Sequence, residues 1–166
     1  AAVSTLVLVC SSAEAQTYSG TFPIDATQVV PPNASPATGT GMVTLDTGTN
    51  MLTWNITSAG LLAPETVAHF HGPAAVGANA GVQLPIAVGS PSAGSATVSA
   101  SQAADILAGL WYVVIHSSMF PGGEIRGQVQ VSAVVPAVPA MSEWGAAALV
   151  LLLLLSASWV MRQRGV

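Results

Sequence analysis

Along most of the chain, hydrophobic and polar positions alternate with a period of two, the mark of strands with one buried face. In MLTWNITS, Leu52, Trp54 and Ile56 alternate with Thr53, Asn55 and Thr57. GMVTLD before it behaves in the same way, and the turn cluster Asp46 to Asn50 joins the two as a hairpin. Similar stretches predict strands over Tyr18–Ile24, Thr66–His71, Val82–Val88, Ser95–Ser99, Leu110–His116 and Glu124–Val131. SQAADILAG fits a helical period instead, with Ser101 as its N-cap. About eight short strands with turn signals between them predict an all-β fold, a Greek-key-like sandwich or barrel with one short helix.

Both ends break the alternation. AAVSTLVLVC, Ala1 to Cys10, has the length of a signal-peptide core, and the SSAEAQ that follows places the small residues Ala13 and Ala15 before Gln16. Residues 1–15 therefore read as a signal peptide with a truncated start. A lipoprotein cut at Cys10 fits less well, because Val9 stands where a small residue is required. At the other end, Trp144 to Met161 is 18 residues without a charge, followed by Arg162 and Arg164. At 1.5 Å per residue it spans about 27 Å, close to a bilayer core. A separate C-terminal transmembrane helix over 144–161 is expected, with the basic tail 162–166 in the cytoplasm. Ser132 to Ala140, SAVVPAVPA, reads as an extended Pro-rich linker, with 132–143 as linker and sorting segment. That leaves 17–131 as the folded domain.

Composition narrows the function. Only 3 residues are Lys or Arg against 7 Asp or Glu, and none is Lys. A net charge of −4 excludes the basic stripe that a nucleic-acid binder needs. With 51% hydrophobic and 6% charged residues, the chain is no solvated disordered segment. One Cys excludes a disulfide framework and Cys-rich zinc modules. There is no P-loop, GxSxG or HExxH, and no catalytic constellation stands out, so an enzyme is not expected.

The three histidines are the chemical candidates. His69 and His71 are two apart on a predicted strand and share a face. His116 ends another strand, on the side of Tyr112 and Val114. If those strands are neighbours, three imidazoles converge, enough for copper or zinc with an open position, and Glu124 or Asp105 is available as a further ligand. The other reading is structural, each ring tying loops to the sheet by hydrogen bonds. Glu124 and Arg126 are also two apart, which predicts an ion pair, with Asp105, Asp25 or backbone carbonyls as alternative partners and a substrate-anion site as the other reading of Arg126. Pro121-Gly122-Gly123 before them predicts a tight turn with positive φ.

Two resemblances add to this. ATQVVPPNASPATGTGMVTLD, AHFHGPAAVGANAGVQLPI and ADILAGLWYVVIHSSMFPGGEIRGQV resemble, in order, the landmark blocks of the CHRD (chordin-type) domain. That resemblance implies a secreted β-sandwich. Val138, Pro139, Ala140, Met141, Ser142, Glu143, Trp144 and Gly145 resemble the IPTL-CTERM sorting signal of Gram-negative bacteria, with Ser-Glu-Trp-Gly as the matching core. It implies processing by an exosortase-type enzyme after transient anchoring in the inner membrane. The reading is an exported, surface-sorted protein with a non-enzymatic adhesion, matrix or envelope role. The alternative is an extracytoplasmic copper- or zinc-binding protein using His69, His71 and His116.

Overall fold

The computed structural model describes residues 15–135. Ala13, the sorting motif from Val138 to Gly145 and the span 144–161 lie outside them. Among the described residues no helix is long and apolar enough to cross a membrane.

The alternating stretches become strands β1 (Thr17–Asp25), β2 (Thr38–Asp46), β3 (Met51–Ala59), β4 (Glu65–His71), β5 (Val82–Ile86) and β6 (Ser92–Thr97). Helix α1 (Ala100–Leu107) follows, then β7 (Tyr112–Ser117), β8 (Ile125–Gln128) and the short β9 (Ser132–Ala133). All pairings are antiparallel, in the order β5-β4-β7-β8-β1-β2-β3-β6, with β9 on β1. The two ends of that order, β5 and β6, touch, so the sheet curls into a nearly closed barrel. Around that seam the strands run β3-β6-β5-β4, a Greek-key arrangement.

Each alternating strand puts its apolar residues inside. Val43 pairs with Trp54 and Leu45 with Leu52, all four buried. The rings of Trp54, Phe70 and Trp111 form the aromatic centre, with centroids 5.7 Å and 6.1 Å apart. Among the described residues this core lies between Tyr18 and Val131, so residues 15–135 carry a core of their own and fold as a unit. On the outside of β1, β2, β3 and β6, Ser19, Thr44, Thr53 and Ser95 pair in register, a rank of hydroxyls across four strands.

Three expectations are corrected. The cap of α1 is Ser99 rather than Ser101: its Oγ accepts from Gln102 N at 3.1 Å, and Gln102 Oε1 accepts from Ser99 N at 2.8 Å. This reciprocal pair needs Ser and Gln three apart, a spacing that Ser99 meets. Ser99→Ala should cost about 1 kcal/mol in urea unfolding, and an unchanged midpoint would contradict the cap. Ser132 and Ala133 do not stand off as linker but pair with Ser19 and Tyr18, because β1 has a free flank beyond the short β8. Finally, β8 is four residues long instead of eight: the chain bends at Glu124 before it, and residues 129–131 leave the strand at its other end.

Candidate functional site

Strand pairing brings the histidines together. β4 pairs with β7, placing His69 opposite Val114, His71 opposite Tyr112 and Val67 opposite His116. These residues face away from the core, while Ala68, Phe70, Val113 and Ile115 on the opposite face are buried in it. The ring centroids of His69 lie 5.7 Å from His71 and 5.5 Å from His116, with 6.2 Å between the last two. One nitrogen from each ring lies within 4.8 Å of the others. A tetrahedral ion with bonds of about 2.0–2.1 Å separates its nitrogens by about 3.4 Å, so the widest edge of the set closes by about 1.4 Å at most around an ion.

The loops over this face set the state of each ring. His71 Nδ1 lies 3.1 Å from the Ala80 carbonyl, and His116 Nδ1 lies 2.9 Å from that of Pro121. A carbonyl only accepts, so both Nδ1 atoms carry hydrogen, which leaves Nε2 as the lone-pair atom of each ring in its neutral form. His69 Nδ1, His71 Nε2 and His116 Nε2 are buried and have no hydrogen-bond partner. Burial, then the charge of His116, holds the pKa of His69 below the usual histidine range. For His71, burial again lowers it most. The Ala80 carbonyl opposes that, while His69, His116 and Arg126 add to the lowering. Neutral imidazoles with lone pairs converging are what a metal requires, and the carbonyls behind them orient the rings as outer partners do in metal sites.

Beside His71 and His116 is a cavity of about 110 Å³, also lined by Val30, Asn79, Tyr112 and Arg126. The Tyr112 ring stacks on His71 at 5.2 Å, and the Arg126 guanidinium lies 3.6 Å over the same ring. Tyr112 Oη donates to the Ala80 carbonyl at 3.1 Å and accepts from Ala80 N at 2.7 Å, so it fixes the loop that holds His71. The alternation Tyr112-Val113-Val114-Ile115-His116 put Tyr112 on the histidine face in sequence. Nothing local marked Asn79 or Ala80, which arrive on the loop between β4 and β5.

The expected ion pair is not formed. Arg126 Nη1 donates to Asn79 Oδ1 at 3.3 Å and Nη2 to Gln128 Oε1 at 3.0 Å. Glu124 sits in the bend before β8, so strand alternation does not carry through to it. Its Oε1 accepts from Ser35 Oγ and from Leu62 N, both at 2.7 Å. Gly123 makes the bend, with φ of 121° and no room for a Cβ against Val114. Asp25 caps the turn Ala26–Gln28 through Thr27 and Gln28. Asp105 is half-buried in α1. Neither Glu124 nor Asp105 joins the histidine cluster.

No curated protein and no solved structure matches the chain. Residues 21–129 match the CHRD domain, and that segment holds all three histidines, the Tyr112–Arg126 stack and the loop over them. On a match that covers most of its length, this chain belongs to the CHRD domain family.

Proposed function

We propose that this protein is an exported, surface-sorted CHRD-domain protein that holds one copper or zinc ion between His69, His71 and His116. The observation that carries the reading is the trio of buried nitrogens without partners, one per ring, two of them fixed as lone-pair donors by carbonyls behind the rings. Burying such nitrogens without a partner costs free energy that an ion would recover. The ion would supply Lewis acidity or a redox centre on the outer face of the sheet. Three ligands leave a coordination position free, in keeping with binding or exchange rather than a closed structural site.

Family membership supports an extracellular, non-enzymatic role. The apolar start, the small residues Ala13 and Ala15, and Ser142-Glu143-Trp144-Gly145 before the apolar tail support export, transient membrane anchoring and processing by an exosortase-type enzyme. A second reading is adhesion or matrix organisation without metal. The rank of hydroxyls from Ser19 to Ser95 favours it, as a polar face suited to polysaccharide or a neighbouring surface.

The deciding experiment is metal analysis by mass spectrometry of residues 15–135 made in a bacterial periplasm, beside His69→Ala/His71→Ala. About one copper or zinc per chain is expected, lost in the double variant while the fold by circular dichroism stays. Folded wild-type protein that takes up neither ion on titration would leave the histidines structural and favour the second reading.

A further inference from the structure

Arg126 is the only Lys or Arg among residues 15–135, and it is 2% exposed. A buried guanidinium calls for a carboxylate. The two nearest acids are committed elsewhere: Glu124, two residues before it, to Ser35 and Leu62, and Asp25, its partner across the β1–β8 pair, to Thr27 and Gln28. Arg126 instead meets the neutral oxygens of Asn79 and Gln128 and the Tyr112 ring. It therefore keeps an uncompensated positive charge at the wall of the 110 Å³ cavity, which His71 and His116 also line. A divalent ion among three neutral imidazoles would add two further positive charges beside the same cavity. One small anion there would answer both, as a ligand to the ion and as a hydrogen-bond acceptor for the guanidinium.

We infer that the cavity between the histidine cluster and Arg126 is a binding site for a small anion, which occupies the free position of the metal and is held by the Arg126 guanidinium. This rests on the metal reading above. The residues divide the work. His69, His71 and His116 hold the ion, Arg126 selects for negative charge, and Tyr112 and Asn79 position Arg126. The cavity is partly open and has room beside the guanidinium for an anion of a few non-hydrogen atoms, such as azide, formate or hydroxide.

The test uses residues 15–135, with sodium azide as probe. Copper loading of the wild type and of Arg126→Gln is measured first, by mass spectrometry. Azide is then titrated into the copper(II) forms and followed by its charge-transfer absorption. The wild type is expected to bind azide at least about tenfold more tightly than Arg126→Gln, the loss that follows from removing a charge-assisted hydrogen bond. Equal azide affinity in the two proteins, or no azide binding by copper-loaded wild type, overturns the anion site and leaves the metal reading standing. Failure of both proteins to take up copper or zinc removes the metal reading, and this inference with it. A second measurement serves if Arg126→Gln does not fold. Arg126 gives the only arginine Nε–H resonance of this segment, and in the zinc-loaded wild type that resonance should shift on adding azide. A resonance that stays in place through saturation overturns the inference.

Discussion

Phe70→Ala is expected to lower the unfolding free energy by about 3–5 kcal/mol, the cost of deleting a large aromatic from a close-packed interior. Phe70 is 0% exposed and sits between Trp54 and Trp111, so the cavity left behind has rigid walls that cannot collapse into it. Its two sequence neighbours are His69 and His71, on the other face of the same strand. Loosening β4 on the core side therefore also loosens the alignment of two imidazoles, and the affinity for copper(II) should fall together with stability. Urea unfolding and a copper titration measure the two effects. A loss below about 1 kcal/mol would mean that the aromatic centre is not what holds β4 in place.

Glu124→Ala should be nearly as costly, about 3 kcal/mol, for a different reason. Glu124 is 0% exposed, and removing its carboxylate leaves Ser35 Oγ and Leu62 N without their acceptor, at about 1–3 kcal/mol per buried group. Glu124→Gln keeps one acceptor oxygen and should lose about 1 kcal/mol. Burial pushes the carboxyl upward in pKa. Hydrogen bonding by Ser117, Leu62 and Ser35 outweighs that and holds it below the usual glutamate range. A carboxyl depressed in the folded state contributes stability above its unfolded pKa of about 4.3 and loses it as pH falls through the folded value. Melting temperatures of the wild type should therefore drop on acidification below about pH 4.3, with a shallower slope in Glu124→Ala. Parallel slopes would show that another group titrates instead. The same two hydrogen bonds tie the loops before β2 and β4 to the bend at Gly123, so loss of Glu124 should also raise proteolytic cleavage in both loops.

These residues also show how far the chain could be read without its structure. The hairpin of β2 and β3 was legible because its signals are local: period-two alternation, a turn cluster, and pairing between strands adjacent in sequence. The shared face of His69 and His71 followed from the same period, as did that of Tyr112 and His116. The cap of α1 is marked in the chain by the Ser99–Gln102 pair, a stronger signal than the lone Ser101. Glu124 and Arg126 do not share a face because Glu124 stands in the bend after Gly123, one residue before β8 begins. Gly123 adopts a positive φ there, and the rule that places residues two apart on one face holds only inside a strand.

What the sequence determined by itself was most of the strands, the inner and outer face of each, and the scarcity of basic residues. Those properties depend on a few consecutive residues and on charge, whereas β9 and the ends of β8 were set by distant pairing. Only the tertiary structure decided that β4 lies beside β7, that the loop between β4 and β5 folds back over His71 and Arg126, and that Glu124 serves two loops instead of the arginine. Neighbours in a Greek-key barrel are chosen by how the whole apolar face closes around Trp54, Phe70 and Trp111. That closure is a property of all eight barrel strands together, and no local stretch of the chain encodes it.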